Sequence, residues 1–417
     1  MHTIGILGAN GFVGSRLVEK LLLEDAARIV PIVRNFAGLA RLSRFPLEAR
    51  IADVLDEAAL VKAFKGCDIV VNTVLGRYNQ IVAEPPVIYR AAEIAGVRRL
   101  VHMSTASVHG QDPAPGTDET TPLRTDQPVP YNNAKVRAER RFRELRRNGR
   151  VELVMLRPGI VFGPRDIWIT GIARSLAAGE AFLVDGGRGI CNTVYIDNLV
   201  HAIRLAMIKP VDGEVFLLGD NETITWAEIY HWVARAIGDC PPPRLLNDPP
   251  IRPEVRPMLD RLRGIRPLKA LFRTIPAAVK AHVRGQIGVA QGMVAGARAA
   301  RQARVRTDWT LPNDAIGPVP IETAMLHRCR YKFPFAKARA RLGYEPVVSV
   351  EEGLIRSIRA LRFAGFDIDE TFAEELRQAR GAAVARARDT AAMPAAVAAT
   401  AAAAAPAVMP TPATPAS

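Results

Sequence analysis

The sequence has few cysteines and no closely spaced cysteine pair. Its 417 residues contain four, Cys67, Cys191, Cys240 and Cys329, which lie far apart in the chain. This spacing argues against a structural zinc site and against a disulfide framework. We therefore expect no bound metal and a reducing, cytoplasmic environment.

A long apolar run without charges or prolines is also missing. The first apolar stretch, IGILGANGFVG, contains several glycines and has no charged segment before it, so no signal peptide is predicted. The longest uncharged stretch lies within 390–417, where prolines such as Pro394 and Pro406 interrupt the alanines. Because alanine is weakly lipophilic and proline breaks helices, no membrane span is predicted.

Acidic residues are scarce relative to basic ones. The chain has 42 Asp and Glu against 56 Lys and Arg, a net charge of +14. Between Arg244 and Glu345 there are 7 acidic and 20 basic residues, so most of the positive charge lies there. Such a segment favours anionic partners. Nucleic acid is not predicted to be one of them, because no aromatic interleaving or known binding module accompanies the charge.

The same basic segment also contains an apolar stripe at helical spacing, made by Leu268, Leu271, Phe272, Ile275, Val279 and Val283. One interpretation is a helical cap that buries the stripe on a substrate domain. A second is peripheral membrane contact through 261–306. A third is a charged lid that attracts an anionic substrate.

Residues 1–160 alternate short β-branched runs with helical stretches. IGIL, RIVPIV, ARIADV, DIVVNTV and RRLVHMST are predicted strands, and EAALVKAF and VIYRAAEIAG are predicted helices. This rhythm predicts an α/β fold, a Rossmann-type doubly wound parallel sheet. A later run, GEVFLLGD, predicts one more core strand near 214–219.

The rest of the chain is predicted to divide in two. Residues 161–370 are expected to form a smaller, partly interleaved α/β substrate domain with a basic helical insertion at 244–330. Residues 380–417 are rich in Ala and Pro, a composition that buries little apolar surface, so a disordered tail is predicted.

The first predicted strand is followed by a glycine turn. Gly8, Gly11 and Gly14 are spaced GxxGxxG between this strand and a helix. A pyrophosphate needs a tight turn, a close backbone approach and free N–H groups at a helix N-terminus, all of which glycines allow. The context therefore predicts a dinucleotide site.

The end of the second predicted strand bears on the choice of dinucleotide. A residue that selects NAD at this place is acidic, whereas a basic residue accommodates the 2′-phosphate of NADP. Arg34, with Arg41 and Arg44 nearby, favours NADP, with a solvated basic face as the alternative. Asp53 is a candidate acceptor for the adenine amine, with a helix cap as its alternative role.

An acid-base pair is predicted at Tyr131 and Lys135, in the pattern YxxxK. Positions four apart share one face of a helix. A nearby ammonium favours the phenolate, so we expect a lowered pKa of Tyr131 that suits proton exchange with an alcohol. Ser104, Thr105 and Ser107 follow a predicted strand, at the sheet edge where ligands bind, and a hydroxyl there could hold the substrate oxygen, with a polar turn and a hydroxyl cap as the alternative.

These motifs together resemble the extended short-chain dehydrogenases/reductases of the NAD-dependent epimerase/dehydratase type, over about 1–240 and again over 333–361. The stretches LRPGIVFGP (156–164), Tyr195–Asn198 and FPFAKARARLGYEP also match that family. The departures are His109 where Tyr is common, Arg34 where many members are acidic, and the basic insertion.

The resemblance implies catalytic roles for Thr105, Tyr131 and Lys135. It also implies dinucleotide contacts around the glycine turn and the strand ends, from Gly8, Asn10, Gly11, Phe12, Val13, Gly14, Arg34, Asp53, Val54, Asn72, Tyr131, Lys135 and Pro158. The expected cofactor is NADP or NAD. A homodimer is a further expectation, because family members often pair through helices.

Three functions follow from this resemblance. The first is an oxidoreductase or isomerase of the epimerase/dehydratase type, with hydride transfer at a carbinol carbon of a nucleotide-sugar-like small molecule and Tyr131 as acid/base. The second is an NADP-dependent reductase or dehydrogenase of a lipid-like or steroid-like alcohol or ketone at a membrane surface. The third is a non-catalytic dinucleotide-binding scaffold.

Overall fold

The computed structural model describes residues 2–24, 27–254 and 317–392. Within these ranges no helix combines the length and the apolarity needed to cross a bilayer. The predicted apolar stripe and the membrane-contact segment 261–306 lie outside the described residues, as does the end of the predicted tail, 393–417.

The described residues form thirteen strands and eleven α-helices. The strands are β1 (Thr3–Leu7), β2 (Arg28–Val33), β3 (Arg50–Ile51), β4 (Ile69–Asn72), β5 (Arg99–Met103), β6 (Glu152–Pro158), β7 (Ile160–Phe162), β8 (Phe182–Val184), β9 (Thr193–Tyr195), β10 (Val215–Leu218), β11 (Arg244–Leu246), β12 (Ile251–Arg252) and β13 (Val319–Pro320). The helices are α1 (Phe12–Leu23), α2 (Glu57–Phe64), α3 (Tyr78–Ile94), α4 (Pro130–Asn148), α5 (Ile167–Ala177), α6 (Ile196–Ile208), α7 (Trp226–Ile237), α8 (Ile321–Arg328), α9 (Ala336–Leu342), α10 (Val350–Arg359) and α11 (Thr371–Ala392).

Seven strands make one sheet, in the order β10-β6-β5-β4-β1-β2-β3. Every neighbouring pair in it is parallel. The central strands are buried on both faces, which explains why they are continuous apolar runs rather than alternating ones. The prediction of a doubly wound parallel sheet is confirmed, and the strand expected near 214–219 is its edge strand β10.

Helices cover both faces of this sheet. On one face the apolar sides of α1, α6 and α9 pack on the strands in a single buried cluster. On the other face α2, α3 and α4 form a second cluster. This sandwich fixes the loops at the carboxyl ends of the strands, which is where ligands bind in open α/β sheets.

The later part of the chain builds a smaller unit beside the sheet. It contains the two-stranded pairs β7-β9 and β8-β11. Helices α5, α7, α10 and α11 enclose its own apolar cluster, which includes Phe162, Trp226 and Phe372. Because β10 returns to the main sheet between these elements, the two parts are interleaved.

Three boundaries differ from the sequence prediction. Strand β3 is two residues long, and α3 begins at Tyr78, well before the predicted start near Val87. Helix α11 continues to Ala392, past the predicted start of the tail at 380. Its Ala and Arg residues have high helix propensity, and Arg380 anchors it through a hydrogen bond to the Thr223 carbonyl.

Candidate active site

A cleft of about 1120 Å³ opens at the carboxyl ends of the central strands. Residues that follow β1, β2, β4, β5 and β6 form one wall, and residues of α5, α8 and the segment around Phe333 form the other. The cleft therefore joins the glycine turn to the predicted acid-base pair in one continuous space.

The glycine turn closes tightly at the start of α1. Gly8 has φ of 84°, a left-handed conformation that favours glycine, and its carbonyl accepts a hydrogen bond from the Gly11 N–H at 2.9 Å. A Cβ on Gly14 would come within 2.3 Å of the Gly8 oxygen, so only glycine fits there. No side chain caps α1, which leaves its first N–H groups free to bind a phosphate.

The basic side chains near β2 separate into two groups. Arg34 and Arg41 line the cleft, whereas Arg44 turns away to pair with Glu19 at 2.5 Å. Asp53 also lines the cleft and accepts a hydrogen bond from the Leu55 N–H at 2.9 Å. The helix cap considered for it belongs instead to Asp56.

Helix α4 carries the YxxxK pair into the cleft wall. Tyr131 and Lys135 both line the cleft, one helical turn apart. Lys135 is 2% exposed, and its Nζ donates to the carbonyl of Met103 at the end of β5, 3.0 Å away. The backbone of β5 thus holds the ammonium in the cleft wall, one helical turn along α4 from Tyr131.

The expected lowering of the Tyr131 pKa is not what the protein's own groups produce. Burial, followed by the nearby carboxyls of Glu322 and Glu84, raises the pKa of Tyr131. Burial also lowers the pKa of Lys135, and the attraction of Glu84 and Glu139 acts against this. The protein's groups therefore favour the protonated phenol.

The predicted hydroxyl follows β5. Thr105 lines the cleft, and its Oγ1 lies 2.7 Å from Oγ of Ser107, which also lines it. His109, where the family often has Tyr, packs against Phe333 and lies 2.9 Å from a guanidinium nitrogen of Arg157. The imidazole therefore supports the wall behind the two hydroxyls.

Most of the predicted contact residues line the cleft, namely Gly8, Asn10, Gly11, Phe12, Val13, Arg34, Asp53, Val54, Thr105, Tyr131, Lys135 and Pro158. Two do not. Gly14 packs under the turn against the Gly8 carbonyl. Asn72 is fully buried behind the wall, where its amide nitrogen lies 3.1 Å from Nδ1 of His102.

The motif residues Tyr195–Asn198 have structural contacts. The ring of Tyr195 packs edge-on against Phe162, and Asp197 pairs with Arg16 of α1 at 2.6 Å. Asn198 binds the backbone of Val347 and Val348, in the closing segment of the family motif. None of these residues lines the cleft.

Two carboxyls near the pair were missed by the sequence analysis. Glu84 of α3 is fully buried and interacts electrostatically with Lys135. Glu322 of α8 lines the cleft and accepts a hydrogen bond from the Gln111 amide at 3.3 Å. Burial first, and then Glu254, raise the pKa of Glu322. No sequence motif marked either residue.

The wall of the cleft away from the glycine turn is mostly apolar. It includes Ile167, Trp168, Ile190, Leu326 and Phe333. Arg165 is the one basic side chain that the described residues contribute to this part, and it lies over the ring of Phe363 at 5.2 Å. Nowhere in the described ranges do three His, Cys, Asp or Glu residues gather as a metal site would require.

Comparisons with known proteins agree with this geometry. A family model described as the NAD dependent epimerase/dehydratase family matches residues 4–219. A 3-diazoavenalumate denitrifying reductase from Streptomyces sp. is 29% identical over 58% of this chain and 83% of its own length. A 2-alkyl-3-oxoalkanoate reductase from Shewanella oneidensis is 24% identical over 84% of both chains. The structure of a dTDP-glucose 4,6-dehydratase from Streptomyces venezuelae with NAD bound aligns with a TM-score of 0.60 and 19% identity, over 87% of this chain and 97% of that one.

Proposed function

The chain belongs to the NAD-dependent epimerase/dehydratase family, and from that premise we propose that it is an NAD(P)-dependent oxidoreductase acting at a carbinol carbon. The observation that carries this proposal is the continuous cleft that holds the glycine turn, Thr105, Tyr131 and Lys135 together. We therefore assign the glycine turn and these three side chains to one active site.

The turn fits a dinucleotide. The uncapped N-terminus of α1 and the tight turn at Gly8 and Gly14, where a larger residue does not fit, would hold the pyrophosphate. When bound, the nicotinamide supplies hydride transfer. Arg34 and Arg41 at the cleft wall support NADP as the preferred form, because a guanidinium binds a 2′-phosphate.

We assign to Tyr131 the transfer of the proton to or from the reacting oxygen of the substrate. As the phenol it can donate to a carbonyl oxygen when the substrate is reduced, and as the phenolate it can accept the proton of an alcohol. Thr105 would hold the same oxygen by a hydrogen bond, and Lys135 would favour the phenolate through its charge. The raised pKa of Tyr131 supports the donating role.

The first candidate substrate is a nucleotide-sugar-like molecule. The volume of the cleft suits a ligand of that size beside a dinucleotide, and Arg165 could receive its phosphates. The similar dehydratase structure, named for a nucleotide sugar, supports this class.

A lipid-like alcohol or ketone is the second candidate. It is favoured by the apolar wall and by two exposed apolar side chains near the cleft mouth, Ile167 and Phe363, which are 78% and 79% exposed. The oxoalkanoate reductase, similar over most of both chains, supports it as well. Membrane contact through 261–306 and a homodimer stay predictions alongside it.

Tyr131→Phe tests the catalytic proposal. We expect kcat to fall by about 10²–10⁴, the usual contribution of general acid-base catalysis, with dinucleotide affinity nearly unchanged. The measurement is turnover with NADPH and NADH together with a dinucleotide binding titration. Equal loss of binding and turnover would make Tyr131 structural, unaltered turnover would mean that another group transfers the proton, and a wild type that binds dinucleotide without turnover would favour a non-catalytic scaffold.

The two substrate classes separate in a ligand panel. Ligands stabilise the folded state according to their affinity, so melting temperature is measured with nucleotides, nucleotide sugars and sterols in the presence of dinucleotide. A shift by nucleotide sugars and a dinucleotide that copurifies would support the first candidate. A shift by sterols, with rapid exchange of NADPH, would support the second.

A further inference from the structure

Glu84 is a buried carboxyl that makes no close hydrogen bond within the described part of the chain. It lies in α3, is completely inaccessible to solvent, and neither of its oxygens has a hydrogen-bond partner among the described residues. Burial raises its pKa to about 7, although Lys135 and the nearby amides of Gln80 and Asn72 favour the charged form. A buried charge of this kind destabilises a protein unless something compensates it.

The neighbour that can compensate it is the ammonium of Lys135. Helices α3 and α4 pack closely through Ile81, Ala134 and Ala138, which brings the two side chains to one interface. Lys135 Nζ makes a single hydrogen bond within the described structure, to the Met103 carbonyl, although an ammonium has three N–H groups. Within the described ranges, Lys135 thus has N–H groups without a hydrogen-bond acceptor, and Glu84 has oxygens without a donor, at the same interface between the two helices.

Other charged groups around this pair are accounted for. Glu139, one turn further along α4, also attracts Lys135, but its carboxylate is already held by Arg157 and Ser104. His102 of β5 is neutral, because burial and then Lys135 hold its pKa well below its ordinary value. Glu322 acts on Tyr131 from the opposite side of the cleft. Of the two carboxyls that act on Lys135, Glu84 is therefore the one that no other cation binds among the described residues.

We propose that Glu84 is the counter-charge of Lys135, a positioning residue that keeps the ammonium protonated beside Tyr131. A neutral filler at this place would not need a carboxyl, since Gln has the same size without the cost of burying a charge. The expected effect of Glu84 on turnover rests on the proposed function, whereas its expected effect on stability does not.

The test compares wild type with Glu84→Gln at pH 5 and pH 8. Because the folded-state pKa of Glu84 lies above its ordinary value of 4.5, the folded form loses stability as pH rises through this window. Gln avoids this loss. We expect the melting temperature of Glu84→Gln minus that of wild type to be roughly 5 °C higher at pH 8 than at pH 5.

Two further variants make this measurement specific. Glu144→Gln, at an exposed position of α4, is the matched control, and its difference from wild type should not change with pH. In a Lys135→Met background Glu84 stays protonated, so adding Glu84→Gln should have little effect at pH 8. Glu84→Met is a second neutral variant that should behave as Glu84→Gln does. If both neutral variants change the melting temperature at pH 8 by the same amount with Lys135 as in the Lys135→Met background, the two groups are not coupled and the proposal is overturned.

Turnover gives the second readout. With the counter-charge removed, Lys135 loses its proton at lower pH, so kcat of Glu84→Gln at pH 8 should fall about tenfold while KM changes little. The stability effect without any change in the pH profile of kcat would overturn the positioning role. If wild type shows no turnover, the proposed function fails, and the melting data still decide whether the two groups are paired.

Discussion

Arg34 stands at the end of β2, on the cleft wall beside the glycine turn. A guanidinium there can bind a 2′-phosphate through charge-assisted hydrogen bonds, whereas a carboxylate would repel the phosphate and accept from a ribose hydroxyl. We expect Arg34→Asp to lower the ratio of kcat/KM for NADPH over NADH by roughly 10–100-fold. Steady-state kinetics with both dinucleotides measure the ratio.

Arg44→Ala provides the control for that substitution. Arg44 is close in sequence but pairs with Glu19 and does not line the cleft. The cofactor ratio should therefore stay at the wild-type value. If Arg34→Asp also leaves the ratio unchanged, Arg34 is a solvated surface residue and does not select the dinucleotide.

Single residues of the site differ in how far the sequence could reveal them. Tyr131 and Lys135 share a short pattern on one helix, and the glycine turn is also local, so both could be predicted. Glu84 and Glu322 could not, because each reaches the pair through packing between elements distant in sequence. The raised pKa of Tyr131 was missed for the same reason, since burial, followed by these two carboxyls, produces it.

Helix α4 is held in place by an ion pair inside the protein. Arg157 at the end of β6 is fully buried and donates to both oxygens of Glu139, at 2.9 and 2.6 Å. Burial alone would raise the pKa of Glu139, but Arg157 and Ser104 outweigh it and hold the pKa below its ordinary value. Since Lys135 lies one turn before Glu139, this pair also positions the ammonium.

We expect Glu139→Gln to lower the free energy of unfolding by about 3–5 kcal/mol, because it leaves the Arg157 guanidinium buried and uncompensated. Chemical denaturation of wild type and variant measures the change. Glu144→Gln, which disrupts only an exposed pair on the same helix, should cost less than about 1 kcal/mol. Similar losses in both variants would show that the buried pair has no special role in stability.

Elements were predictable where the local signals agree. Helix α2 coincides with the predicted EAALVKAF, since Asp56 caps it and its apolar residues are periodic. Helix α3 was predicted to start too late because it contains Pro85 and Pro86, which local rules place outside a helix. Packing of Ile81 on α4 outweighs that local cost, and the extra turns are the ones that place Glu84 near Lys135.

Across the whole molecule, segments late in the chain complete the cleft and pack against elements formed by earlier segments. Helix α8 and Phe333 supply the far wall of the cleft, and Tyr344 reaches back to the Gly219 carbonyl after β10. The family motif at Tyr195–Asn198 contributes to this long-range packing, because Asn198 binds the backbone of 347–348. The sequence could show that these motifs exist, but their joint role appears only when distant segments meet.

The last helix, α11, packs against the smaller unit. Phe372 and Leu376 are fully buried in the apolar cluster of the smaller unit, and Glu375 pairs with Arg235 of α7 at 2.6 Å. Both apolar residues belong to that cluster and to neither of the two clusters on the faces of the main sheet. Removing α11 should therefore destabilise the smaller unit and leave the glycine turn in place.

We expect a variant that ends at Glu370 to melt roughly 10 °C below one that ends at Ala392, since burial of two large side chains is worth at least about 5 kcal/mol. Turnover should fall with it, because α5 and α7, which back the substrate wall, lose their apolar partner. Dinucleotide binding, measured by titration at a temperature below both transitions, should be retained. Loss of dinucleotide affinity in the shorter variant would contradict this division, and it would mean that the two units depend on each other for folding.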